Sequence, residues 1–272
     1  MRYADRMRIS TYGSIEALPA GANALFDSAP TLFESRWWWR VMEHNGLSPG
    51  TQPCWVLCEN HRGPVALFPM LTAPGTRGLT GLVTPYTCHY APLFGADIGA
   101  PERAAALAAF ARFCRRFPTA RLDALDAGSP IWRDCALTAR AAHLVPIQFP
   151  HFGNWHEPVA NTGWADYLAA RSGALRETIR RKLRRTQQDS RARFELFDNP
   201  AHIEDGIGAY EAVYRRSWKE PEPFPLFNPA FMRARGHRGR AASCRPLAGS
   251  RAGRGAALGG GPRARPGAET RT

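Results

Sequence analysis

Cys54-Trp-Val-Leu-Cys-Glu-Asn-His-Arg-Gly-Pro-Val-Ala-Leu-Phe-Pro-Met-Leu71 decides how this chain folds. Two apolar runs, 54–58 and 64–71, flank Asn60-His-Arg-Gly63, so they read as paired strands joined by a turn. Outward from that pair the pattern alternates. Residues 7–13 read as a short strand and 14–28 as a helix with a proline inside it. In Phe33-Glu-Ser-Arg-Trp-Trp-Trp-Arg-Val-Met-Glu-His44, Ser35 is placed to cap a helix carrying Trp38, Val41 and Met42 on one side. The three tryptophans suit packing against a sheet or, alternatively, a stacking wall for a ligand.

Downstream, Gly78 to Phe94 is aromatic and broken by prolines, which suggests strands joined by a pocket-facing loop. Tyr86, His89 and Tyr90 are its polar aromatic residues and the candidate pocket side chains. His89 reads either as a hydrogen-bonded structural histidine or as a general base. Pro101 to Phe117 is an amphipathic helix with Glu102 near its start and Arg112, Arg115 and Arg116 near its end, as the helix dipole favours. A strand at 121–125, a helix at 129–142 and a strand at 145–149 complete a mixed α/β unit over residues 1–155.

A second unit, 156–234, opens with a short helix at Trp164–Arg171 and continues into Arg176-Glu-Thr-Ile-Arg-Arg-Lys-Leu-Arg-Arg185. Leu168, Leu175, Ile179 and Leu183 recur at helical steps, so a helix over 174–190 with one buried apolar face is expected. Arg176, Arg180 and Arg184 stack at spacing four, and Arg181 and Arg185 form a further stripe. Like charges at that spacing repel by roughly 0.2–0.5 kcal/mol per pair. The cluster is either a solvated face with acidic neighbours or a contact for a phosphate-bearing ligand or anionic surface. Arg176, Arg180, Arg181 and Arg184 are the phosphate-contact candidates. A strand at 193–197, a helix at 203–219, a stiff Pro-rich linker at 220–225 and the start of another helix at 229–233 follow.

The composition, 44% apolar and 11% aromatic over 272 residues, is enough for a real core. Net charge is +13, but residues 235–272 hold nine Arg and one acid, a charge of +8, leaving 13 − 8 = +5 for residues 1–234. A nucleic-acid partner is therefore not implied by the overall charge. Six cysteines are scattered without a CxxC pair, so no disulfide framework is read; Cys54, Cys58 and His61 could form a zinc set, but no metal is expected. The N-terminus has no apolar signal core and no run of 18 apolar residues occurs. A soluble cytoplasmic protein without a membrane span is expected, and nothing in the pattern sets an oligomeric state.

Residues 235–272 contain no Val, Ile or aromatic residue, and Arg, Gly and Ala supply 26 of the 38. Such a segment cannot bury enough apolar surface to order itself, so disorder is expected. It reads as an Arg/Gly-rich arm or as a stretch translated out of frame. In GC-rich DNA, signalled by Lys182 and Lys219 being the only lysines, a displaced frame yields mostly Arg, Gly, Ala and Pro. With synonymous codons chosen for Gly253 to Thr272 and read from the second base, one result is Val-Ala-Ala-Gln-Leu-Trp-Val-Val-Asp-Arg-Gly-Arg-Ala-Arg-Val-Leu-Lys-Leu-Ala-His. Two alternating apolar strands around a polar turn emerge. A frameshift near Met232–Arg235 is the expectation that follows.

The order of elements, with Trp164-x-x-Tyr167, Arg176-x-x-x-Arg-Arg-Lys-x-Arg-Arg185 and Arg216-Ser-Trp-Lys219, resembles the GNAT-like acyltransferases of the CelD/BcsL type. That family is linked with cellulose and exopolysaccharide production and is related in fold to the Fem peptidyltransferases. The resemblance spans roughly residues 5–234. It implies two tandem GNAT-like folds, the first complete and the second partial, with acyl-CoA or acetyl-CoA as donor co-substrate and a small-molecule or glycan amine as acceptor. The arginine helix would then face CoA phosphates, a tRNA donor or acidic side chains. In GNAT chemistry the amine attacks the thioester directly, a backbone N–H polarises the carbonyl, and pyrophosphate rests on a Gln/Arg-x-x-Gly-x-Gly/Ala loop. Arg251-Ala-Gly-Arg-Gly-Ala256 has the wrong spacing for that loop. The resemblance thus implies an N-acyltransferase whose CoA-binding half is missing here, leaving this chain inactive. The alternative is a basic RNA- or polysaccharide-binding protein using the arginine helix and the tail.

Overall fold

The strand pair sits at the centre of the structure, a computed structural model that describes residues 7–217 apart from 28, 30, 74, 76, 85, 151, 152, 154–156, 158–161 and 198. Strand β1 (Arg8–Tyr12) pairs antiparallel with β2 (Gln52–Asn60), and β2 pairs antiparallel with β3 (Gly63–Thr72). Gly63 makes the reversal at a φ of +121°, which a side chain would strain. The register slips between Cys58 and Glu59, a bulge at the turn end of the hairpin.

β4 (Leu79–Gly81) and β5 (Leu93–Phe94) both pair with β3. β6 (Ala120–Arg121) joins β4 in parallel. The result is a mixed six-stranded sheet in a mixed α+β fold. A parallel neighbour needs a crossover, and the helix between β4 and β6 supplies it.

Val65 to Leu71 are buried without a break, because β3 is covered on both faces. On one face, α1 (Ala24–Asp27) and α2 (Arg36–Val41) approach the sheet. Trp39 meets Trp55 and Tyr90 edge to face at 6.0 and 6.2 Å. On the other, α3 (Ala100–Cys114) lays Phe110 flat on Phe68 at 3.9 Å, and the Cys58 thiol donates to the Ala106 carbonyl. α4 (Pro130–Ala141) packs on α3. Ser35 caps α2 as expected, accepting from the Trp38 N–H. Trp38 and Trp39 are buried packing residues, so the ligand-wall reading of the tryptophans fails.

α5 (Trp164–Ala169), α6 (Gly173–Gln188) and α7 (Ile203–Tyr214) follow the predicted periodicity. Several expectations are corrected. The helix expected over 14–28 is, in its described part up to Asp27, two 3-10 turns and the single turn α1; Pro19 has no N–H to donate and holds Leu18 extended. The strand at 121–125 shrinks to β6, because Ala124 turns left-handed at a φ of +57°. Neither 145–149 nor 193–197 is a strand, since no described strand lies beside them to pair with. The apolar side of α6, expected to be buried, is not: only Leu168 of that series is covered. The unit boundary near 155, the linker at 220–225, the helix at 229–233 and the segment 235–272 lie outside the described residues.

Candidate functional site

The buried carboxylate Glu34 anchors the candidate site. It closes a 3-10 turn, Leu32–Glu34, through a capping box in which its Oε2 accepts from the backbone N–H and the hydroxyl of Thr31, both at 3.1 Å. Its other oxygen, Oε1, lies 3.2 Å from Nε2 of His89. Two local contacts in one element therefore fix the carboxylate, and the histidine comes to it from 55 residues away.

The loop carrying His89 is held from both ends. Thr84 and Thr87 exchange hydrogen bonds, the Thr87 N–H reaching the Thr84 carbonyl at 2.9 Å and the Thr84 N–H reaching the Thr87 hydroxyl at 3.1 Å. Tyr90 is fully buried; its hydroxyl donates to the Pro69 carbonyl at 3.0 Å, and its N–H donates to the Ala124 carbonyl at 3.0 Å. Tyr90 pins the loop to β3 and to the turn after β6. It is a core residue and does not line the cleft beside His89. Burial pushes its phenol well above its ordinary range, so it holds its proton. Tyr86 is half-buried at the margin of the core.

His89 itself opens onto a cleft of about 1930 Å³. The walls are the Thr31–Phe33 turn, the chain from Phe117 to Ala127, one side of α4 and the extended run from His143 to Pro150. The hydrogen bond to Glu34 raises the His89 pKa above its ordinary value, against an opposing effect of burial, with smaller help from the charges of Glu34 and Asp126. With Nε2 donating to Glu34, Nδ1 is left as the acceptor, and it has no hydrogen-bond partner among the described residues. The arrangement is a histidine oriented by a buried carboxylate, with one nitrogen available for a proton.

Other groups at the cleft are structural. Asp123 is buried and accepts from the Arg121 Nε at 2.7 Å. Cys114 and Cys135 line the wall, but burial pushes both thiols up to about 12, so neither is a thiolate nucleophile near neutral pH. His143 occupies the left-handed position at φ +60° just beyond α4. There the Leu144 N–H bonds the Ala139 carbonyl and the His143 N–H bonds the Arg140 carbonyl, a Schellman end that usually takes glycine. Cys54 and Cys58 do not form a metal set with His61: among the described residues no group of three such side chains is placed to hold an ion.

The arginine candidates lie on α6, and none of them lines this cleft. The Arg176 guanidinium donates to the Ala169 carbonyl at 3.1 Å and so closes the end of α5. Arg180, Arg181 and Arg184 are exposed and have no ion-pair partner among the described residues. Of the sequence candidates, the structure thus sets His89 at the cleft, leaves Tyr86 at the margin of the core and off the cleft wall, removes Tyr90 to the core and leaves the arginines off the cleft as well. Glu34 and Asp123 were not expected. Thr31-x-x-Glu34 is the capping pattern that could have drawn attention to Glu34.

No protein-family model, curated protein or solved structure matches this chain. Among the described residues no helix is long and apolar enough to cross a membrane.

Proposed function

We propose that the chain follows the plan of a GNAT-like N-acyltransferase that moves an acyl group from acyl-CoA to an amine on a small molecule or glycan, in exopolysaccharide or cell-envelope metabolism. The observation that carries the reading is His89, oriented by buried Glu34 and open to a cleft with room for an acceptor. An acceptor amine is an ammonium near neutral pH and must lose a proton before it can attack. Nδ1 of His89 takes that proton. His89 passes that proton to solvent; the neutral amine then forms the C–N bond as the C–S bond of the thioester breaks, and the second proton, shed by the new amide nitrogen, passes through Nδ1 of His89 to the departing sulfur, which leaves as the CoA thiol. This chain supplies the acceptor side. In the family plan the CoA phosphates rest on a loop that no stretch of this sequence provides, so the chain as it stands is inactive.

The test is thiol release from acetyl-CoA in the presence of an amino sugar. The gene is read both as it stands and with one base removed ahead of codon 235. Turnover is expected only from the second version. There His89→Ala should lower it by about 10²–10⁴, the usual contribution of a general base. Turnover by the present chain, abolished by His89→Ala, would overturn its inactivity. An unaffected His89→Ala in the reframed chain would remove His89 from the chemistry. Arg180, Arg181 and Arg184, exposed and without an ion-pair partner among the described residues, favour one second reading, a basic RNA- or polysaccharide-binding surface.

A further inference from the structure

The walls of the cleft beside His89 are apolar and partly wet. Leu137 of α4 keeps 55% of its surface exposed, and Val145 and Ile147 keep 86% and 80%. Val145 and Ile147 stand two apart on the extended run, hence on one side of it, and all three residues line the cleft. Leu32, Phe33 and Leu125 line it too. Several polar side chains of the wall are already engaged by the protein. The Thr31 hydroxyl donates to Glu34 at 3.1 Å, the Thr138 hydroxyl donates to the Asp134 carbonyl at 2.8 Å, and Asp123 is held by Arg121. A sugar ring would find few partners there for its hydroxyls, and a hydroxyl buried without a partner costs affinity. An apolar body has no such cost and takes the exposed side chains out of water.

Charge selects the head of that body. His89 must be neutral to accept a proton, and the charges that act on it, those of Glu34 and Asp126, are both negative. Asp126 lines the same cleft. Its Oδ1 accepts from the Gly128 N–H at 2.8 Å, which fixes the carboxylate, and its Oδ2 has no hydrogen-bond partner among the described residues. Trp132 also lines the cleft and is tied to the same turn, its Nε1 donating to the Ala127 carbonyl at 2.5 Å. An indole is the best aromatic partner of an ammonium. Arg133 and Arg140 line the cleft from exposed positions on α4 and would draw an apolar anion instead. At His89, where a proton is to be taken, the two carboxylates favour a cation.

We propose that this cleft binds a primary alkylamine, with Asp126 holding the ammonium beside His89 and the apolar walls covering the chain. The fate of the bound amine rests on the acyltransferase reading, which this deepens by naming the acceptor class: an apolar amine and not an amino sugar. Binding itself needs neither acyl-CoA nor turnover.

Isothermal titration calorimetry at pH 7 on the full chain as it stands tests this with butylamine, hexylamine, octylamine, glucosamine, octanoate and octan-1-ol. Affinity is expected to rise about fourfold per methylene from butylamine to octylamine. Glucosamine and octanoate should each bind at least tenfold more weakly than octylamine. Asp126→Asn keeps an acceptor for the Gly128 N–H, and should weaken octylamine at least tenfold while leaving octan-1-ol unchanged. Ile147→Ser, at an exposed position, should weaken octylamine and octan-1-ol alike. If Asp126→Asn loses octan-1-ol as well, its cleft is damaged, and the native series with Ile147→Ser decides. No binding of octylamine, glucosamine binding as tightly, or octanoate binding more tightly overturns the proposal. So does octylamine binding that Asp126→Asn leaves intact. Octylamine binding without thiol release from the reframed chain would keep the amine site and sink the acyltransferase. Thiol release with glucosamine and no octylamine binding would do the reverse.

Discussion

His89 and Glu34 make a pair whose contribution to stability depends on pH. A histidine that gains a carboxylate on folding binds its proton more tightly in the folded chain than in the unfolded one. The stabilisation is complete below the ordinary histidine value of 6.5 and is lost as pH rises through the folded value, which lies above 6.5. Urea denaturation of the native sequence and of Glu34→Gln, followed from pH 5.5 to pH 8.5, should therefore give curves that converge as pH increases. The native chain should lead at the acid end of that window. Parallel curves would mean that the carboxylate orients His89 without charge pairing. Glutamine keeps an acceptor for the Thr31 hydrogen bonds, so the comparison isolates the charge.

At the scale of single elements, packing separates two helices of similar sequence quality. Phe110 of α3 is buried face to face with Phe68, so Phe110→Ala removes a stacked ring and leaves a cavity in a close-packed core. A loss of about 3–5 kcal/mol is expected. Leu183 of α6 is half exposed, and leucine and alanine are both strong helix formers, so Leu183→Ala should stay within about 0.5 kcal/mol. Guanidinium melts of the two variants against the parent test the contrast. A Leu183→Ala cost near that of Phe110→Ala would show that α6 is already covered.

The same contrast explains what could be read in advance. The hairpin at 54–71 and the helices at 101–117, 129–142 and 174–190 carry long local periods or a turn with glycine, and local signals are enough to specify them. The strand at 121–125 failed because Ala124 gives no hint that its carbonyl will turn to meet the Tyr90 N–H. Burial of α6 failed for a different reason: an apolar stripe predicts that a partner is wanted, and it cannot say whether one is within reach. The site was half visible. A histidine in an aromatic loop attracts attention, whereas Glu34 joins the candidate site only through a contact 55 positions away.

For the molecule as a whole, charge distribution decides between the two functional readings. The segment 235–272 carries +8 of the net +13. Binding to duplex DNA loses affinity with salt in proportion to the phosphates neutralised, with a slope of about −0.9 per contact. If the tail is the basic element, the full chain should bind duplex DNA at about 50 mM salt and release it by about 200 mM, and deleting 235–272 should remove most of the slope. Replacing Arg180, Arg181 and Arg184 with Gln in the full chain should then change the slope little. Three lost contacts would shift it by about 2.7, which fluorescence anisotropy resolves easily. A slope that survives the deletion but falls by that amount in the triple variant would put the polyanion contact on folded α6. It would do so at the side chains whose spacing keeps repulsive neighbours together, and a selected anion-binding surface would then be the simplest reason for that spacing. The acyltransferase reading would have to give way to the binding one.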